Sequence, residues 1–148
     1  DFHNFFLIRH PQNVINSYVK KNDLKNIDEL GYPQQWKLIE YLRENEKDVI
    51  VIDSSILLKN PKKILSDLCK HLNIEFHETM LQWDKGPYTT DGIWWKHWYS
   101  NVINTTTFQN TQYRNEKIPK KYYSIYNEAL QYYSQLSKYG LKPSSNLS

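Results

Sequence analysis

Apolar residues along the chain occur in two patterns. Two runs are short and unbroken: Phe5-Phe6-Leu7-Ile8, and Val49-Ile50-Val51-Ile52, which is β-branched throughout and bounded by Asp48 and Asp53. Runs of this length between polar residues predict buried strands. Elsewhere the apolar positions recur at helical spacing. Val14, Ile15, Tyr18 and Val19 predict a helix entered at Pro11, where a missing N–H costs nothing, and running to about Lys21. Residues 22–28 are polar and loop-like, and Asp28 is placed to cap a helix carrying Leu30, Trp36, Leu38, Ile39 and Leu42, with Gly31 and Pro33 disturbing its first turn. Asn60-Pro61 is a helix start, with Ile64, Leu65, Leu68 and Leu72 as the apolar face and Asn73 as the stop. Residues 77–82 predict a short helix. Pro119 opens a last helix with Tyr122, Ile125, Tyr126, Ala129, Leu130, Tyr133 and Leu136 on its apolar side, ended by Gly140.

Two strands separated by about 40 residues of largely helical pattern predict a parallel α/β sheet with right-handed crossovers. The last helix is expected to pack outside that sheet. The fold expected is α/β and helix-rich in its C-terminal half, with one domain over residues 1–142 and a disordered tail from 143 to 148. A buried strand at residues 5–8 needs neighbours on both sides, so the sequence reads as part of a longer protein.

Composition narrows the function classes. The chain has 148 residues, 39% hydrophobic and 15% aromatic, which is too apolar for a disordered protein. No apolar run approaches the ~20 residues that span a bilayer. One cysteine, Cys69, excludes an internal disulfide framework and a Cys-rich zinc module, and its place in an apolar helix reads as core. The net charge of +3 rests on 16 Lys and 3 Arg, and the lysines fall in scattered pairs such as Lys62-Lys63. A nucleic-acid binder concentrates such charge in a patch, so no nucleic-acid partner is expected.

The sharpest segment runs from Phe6-Leu7-Ile8-Arg9-His10-Pro11 to Ser17-Tyr18. A buried strand ends in Arg and a helix starts at once. In open α/β sheets ligands bind outside the C-terminal strand ends, where Arg9 lies. The planar fork of an Arg donates two parallel hydrogen bonds to a phosphate. Ser17, eight residues on, lies about two turns into the helix, within reach of the same group. The alternative is an Arg paired with a carboxylate and a Ser facing solvent.

The order strand–Arg–x–Pro, five residues, Ser–Tyr resembles the 3′-phosphate-binding segment of the sulfotransferases. Further segments carry the same resemblance. These are Val49 to Asp53 with Asn60-Pro61 and the following helix, Glu29-Leu30-Gly31-Tyr32 with Gln35-Trp36, and Gly92-Ile93-Trp94-Trp95-Lys96-His97-Trp98. Together they cover roughly residues 3–108. The resemblance implies a partial P-loop NTPase-like three-layer fold. It also implies an enzyme that transfers a sulfuryl group from 3′-phosphoadenosine 5′-phosphosulfate to a hydroxyl or amine of a small-molecule or carbohydrate acceptor, without a metal. Arg9 and Ser17 would hold the 3′-phosphate. Trp83 falls where the family packs the adenine, with a core Trp as the alternative reading and Tyr32 as a second candidate for that role.

The sequence also departs from the family. The Gly-rich loop that cradles the 5′-phosphosulfate is absent, the catalytic base is not matched, and the Arg-Lys-Gly loop on the far side of the 3′-phosphate is not evident. Lys96 and His97 occupy the comparable late region and stand as further donor-binding candidates; His97 also reads as a general base or a core histidine. These departures imply that the 148-residue chain does not transfer sulfate by itself. They keep open a second reading, a non-catalytic nucleotide- or phosphate-binding module on the same fold. A cytoplasmic location is expected.

Overall fold

The computed structural model describes residues 3–87, 104–109 and 116–141. Strand β1 (Phe5–Ile8) pairs in parallel with β2 (Ile50–Asp53), in register from Phe5 opposite Ile50 to Ile8 opposite Asp53. The crossover between them contains helix α1 (Pro11–Tyr18), a 3-10 turn at Ile27–Leu30 and helix α2 (Tyr32–Glu44). After β2 come α3 (Ser54–Lys59) and α4 (Pro61–Leu72), and α5 (Tyr123–Leu136) closes the fold. This is a helix-rich α/β structure with parallel strands.

Alternation along β2 sorts its side chains onto two faces. Val51 packs in one core cluster with Ile8, with Tyr32 and Ile39 of α2, and with Ala129 and Leu136 of α5. Ile50 and Ile52 face the other way and meet Ile64 and Leu68 of α4. Helices therefore lie on both sides of the sheet, in three layers. A third cluster, Ile15, Leu24, Ile118 and Tyr122, joins α1 to the start of α5. Each fully buried aliphatic side chain among these contributes about 1.5–3 kcal/mol.

Several boundaries differ from the sequence expectation. The second strand runs one residue further on, so Asp53 is its last rung as well as its boundary. Helix α1 ends at Tyr18 instead of Lys21, because the Asn22 amide and backbone N–H both return to the Tyr18 carbonyl. Asp28 caps no helix. Asn26 accepts from the Asp28 N–H and caps the 3-10 turn, and Gly31, at φ +78°, ends that turn and opens α2. That left-handed backbone favours glycine. The sequence pattern does not predict the short helix α3; Asp53 caps it by accepting from the Ser55 N–H.

Residues 78–81 form a 3-10 turn, and Pro119 precedes a further 3-10 turn that leads into α5. Gly140 does not end a helix in the left-handed way, since its φ is −63°. Instead the chain turns back there, bridges to Val51, and Leu141 N–H donates to the Val51 carbonyl at 2.7 Å. The tail from Pro143 lies outside the described residues. Among the described residues no helix is long and apolar enough to cross a membrane.

Candidate functional site

Both strands of the sheet end at one edge, each followed at once by a helix. Residues Arg9 and His10 link β1 to α1, and Asp53 links β2 to α3. The turn after β1 is held at several points. The buried Tyr32 hydroxyl donates to the Arg9 carbonyl at 2.6 Å. His10 caps α1, its Nδ1 accepting from the Gln12 N–H at 3.3 Å, while its carbonyl accepts from the Asn13 and Val14 N–H groups. Pro11, buried, takes the first helical position. With its backbone fixed, Arg9 extends its side chain into solvent. Among the described residues no carboxylate pairs with it.

Ser17 is also exposed. It lies on the side of α1 turned away from buried Pro11 and Ile15, one turn beyond Asn13, about 9 Å along the axis from Pro11. The opposite needs of α1 are met by other residues: Gln12 and Asn16 both donate to the Glu116 carbonyl, at 2.9 and 2.8 Å. The turn itself thus carries the exposed guanidinium of Arg9 beside the positive end of the α1 dipole, a pair that suits an anion, while the Ser17 hydroxyl lies exposed further along the helix.

Beneath that surface lies a polar cluster. Asp53 Oδ1 accepts from the Ser55 N–H and hydroxyl at 2.7 and 2.6 Å, and Oδ2 accepts from the Tyr133 hydroxyl of α5. The Tyr133 ring meets His10 edge-on, with centroids 5.2 Å apart. Burial lowers the His10 pKa below its ordinary value of 6.5, against the opposing pull of the Asp53 charge. Burial is also the main reason that the Tyr32 hydroxyl stays protonated far above its usual range, and the charges of Tyr133 and Asp53 add to it while that of Arg9 opposes. Tyr32 is therefore a donor to the Arg9 backbone. It is only 3% exposed and cannot stack on a nucleotide, which corrects its reading as a second adenine platform.

Trp83 is half-buried, in a second place. Its N–H groups donate to the Thr106 carbonyl at 3.0 Å and to Thr105 Oγ1 at 3.3 Å, and its ring meets Phe108 edge-on at 5.3 Å. It lines an open cleft of about 940 Å³ with Glu78, Gln82, Asp84, Lys85 and Thr106, to which neither Arg9 nor Ser17 contributes. Trp94, Trp95, Lys96, His97 and Trp98 lie outside the described residues. Cys69 is buried in α4, its Sγ 3.9 Å from Met80 Sδ. No group of three or more His, Cys, Asp or Glu able to hold a metal ion occurs among the described residues.

Arg9 and Ser17 are the pair that the sequence offers by its spacing across a strand-to-helix turn, and both side chains are exposed. Sequence reasoning missed Asp53 and Tyr133 as partners. An acidic residue closing a β-branched run was the visible signal for Asp53, and Tyr133 carried none, being one tyrosine among several on an amphipathic helix.

A family model described as "Sulfotransferase domain" matches residues 2–138 of the chain. Among curated proteins, the branched-chain-amino-acid aminotransferase-like protein 2 of Arabidopsis thaliana is 31% identical over 144 residues, which is 97% of this chain and 26% of that protein. The branched-chain-amino-acid aminotransferase-like protein 1 of the same plant is 32% identical over 143 residues, 97% of this chain and 25% of its own length. The chain thus spans about a quarter of the curated relatives that it matches. No solved structure matches.

Proposed function

The chain belongs to the sulfotransferase domain family, and on that premise we propose that it carries the 3′-phosphate half of a donor site for 3′-phosphoadenosine 5′-phosphosulfate. The observation that carries the proposal is Arg9: exposed, without a carboxylate partner among the described residues, and set on a rigid backbone where a parallel strand meets the start of a helix. The residues fit a phosphate. Arg9 donates a charge-assisted pair of hydrogen bonds, the α1 N-terminus adds its positive dipole, and Ser17 supplies a hydroxyl donor from the exposed face. Tyr32 and His10 keep the turn from moving and touch no ligand. A P-loop-like arrangement of the whole domain, and a cytoplasmic setting, belong to the same proposal.

The bound donor supplies an activated sulfuryl group, and the acceptor we propose is a hydroxyl or amine of a small molecule or carbohydrate. Arg9 and Ser17 orient the donor and do no bond chemistry. Trp83 as adenine platform, and Lys96 and His97 as further donor contacts, complete the proposal. The relatives' names describe aminotransferase-like proteins, but this chain spans only about a quarter of each, and the proposal follows the family match.

Calorimetry on the full-length protein tests the reading, with adenosine 3′,5′-bisphosphate as the probe. Arg9→Ala is expected to weaken binding about ten- to a hundredfold, the worth of one charge-assisted contact. Equal affinity in both proteins removes Arg9 from the site. Binding without sulfuryl transfer to any acceptor would favour the non-catalytic nucleotide module.

A further inference from the structure

Asp53 is the charged residue that the fold buries, at 7% exposed among the described residues. Burying a carboxylate is costly unless its oxygens are hydrogen-bonded. Capping α3 does not require that burial, since one oxygen of a surface Asp does as much. In Asp53 only Oδ1 serves the cap, through the Ser55 N–H and hydroxyl. Oδ2 is turned across the layer to the Tyr133 hydroxyl, 80 residues away in sequence. Ala129 and Leu136 bury α5 against the sheet and the Tyr133 ring packs at the margin of the same cluster, so the hydroxyl bond adds to an apolar contact already made.

The contact continues. Tyr133 presses its ring edge-on against His10, with an interplanar angle of 71°. His10 is the residue after Arg9 and the cap of α1. A line of contacts therefore runs from the end of β2, through α5, to the turn after β1. It arrives from the inner side, while Arg9 and Ser17 face out.

We propose that Asp53 and Tyr133 are positioning residues for the phosphate site: by fixing His10 they set the Arg9–His10 turn in the orientation from which Arg9 grips the anion. Neither touches the ligand. The inference rests on the reading of Arg9 and Ser17 as phosphate ligands, and deepens it. Because the Asp53 charge also acts on His10, disturbing the pair leaves a signature on the imidazole that is visible without any ligand.

The test uses the full-length protein in four forms: wild type, Tyr133→Phe, Asp53→Asn and, as a control on the same helix, Tyr126→Phe. Tyr133→Phe keeps the ring and removes only the hydroxyl; Asp53→Asn keeps the size and an acceptor oxygen. Affinities for adenosine 3′,5′-bisphosphate and adenosine 5′-monophosphate are measured, and the His10 Cε1 proton resonance is titrated in the free protein. The expected result is a loss of about tenfold in the preference for the bisphosphate in both Tyr133→Phe and Asp53→Asn, roughly one net hydrogen bond of orientation. Monophosphate affinity is expected to stay unchanged, the His10 titration to shift, and the control to match wild type. An unchanged preference in both variants, or an unmoved His10 titration in Tyr133→Phe, overturns the inference while leaving the Arg9 reading intact. An equal loss for both nucleotides assigns the pair to stability alone and also overturns it. If the wild type does not distinguish the two nucleotides, the reading of Arg9 itself fails and this inference falls with it.

Discussion

Strands β1 and β2 are both largely apolar, have the same length and share one ladder, yet they are buried to very different degrees. All four residues of β2 are buried, whereas only Ile8 of β1 is. The difference lies in their neighbours. β2 runs between β1 and the returning chain at Gly140-Leu141, with α2 and α5 on one face and α4 on the other. Among the described residues β1 is covered on the α2 and α5 face only. Phe5 and Leu7 point to the face that α4 covers for β2, and they stay 50% and 53% exposed. On its outer edge the Leu7 carbonyl accepts from the Gln35 side-chain amide at 3.2 Å, where an inner strand would meet backbone. An apolar run thus reports the cover a strand is built for, and β1 is built for more than the described residues give it.

That contrast can be broken most directly at one rung. Leu7 and Ile52 stand opposite each other in register. Ile52→Ala should cost about 2–5 kcal/mol of stability in urea unfolding. Leu7→Ala, half in water already, should cost about 1 kcal/mol or less. Equal losses would mean that β1 is covered in solution as fully as β2.

The next effect concerns the far edge of β2. A Cβ at Gly140 would sit 2.9 Å from the Ser137 carbonyl oxygen, a backbone atom that cannot simply swing away. Gly140→Ala should therefore disturb the bridge to Val51 and cost about 1–3 kcal/mol, as overpacking does. Faster amide exchange at Leu141 would confirm that the bridge is what gave way.

Smaller still is a pH effect at the two strand ends. His10 has a folded pKa below its ordinary 6.5 because burial disfavours its charge. As pH falls below that value the unfolded chain takes up the proton first, so stability is full above it and declines toward the lower folded pKa. The drop in Tm between pH 7 and pH 5 should be smaller in His10→Asn, which still caps α1, than in the wild type. An identical drop would show that His10 is not the titrating group. The smallest change expected is Gln35→Ala, about 0.5 kcal/mol for an exposed hydrogen bond, read as a slight shift in the urea midpoint.

What could be read from the sequence was local. The two apolar runs, Pro11 at the start of α1 and Asn60-Pro61 at the start of α4 all signal through near neighbours, and the fold kept each in place, though of the first run only Ile8 is buried. The break between Leu30 and α2 was misassigned to Asp28, because an Asx cap there competed with Asn26 two residues before it and with Gly31 after it. Helix α3 was hidden because a Ser-Ser start followed by three apolar residues is too short to show a period. At the candidate site, the spacing of Arg9 and Ser17 across one turn is local in the same way, and both are exposed as it requires. The link from Asp53 to Tyr133 joins residues 80 apart, and no local pattern announces a hydrogen bond that only tertiary packing creates.

The lateness of α5 in the sequence has a consequence for synthesis. Ile8, Ile39 and Val51 share their buried cluster with Ala129 and Leu136, and the bonds of α1 to Glu116 close over 100 and 104 residues. A chain emerging from the ribosome therefore makes both strands and α2 long before the helix that shields them. Contacts of such sequence separation are slow to form, and a nascent chain halted before residue 129 would hold its apolar sheet face open to any binder of unfolded protein.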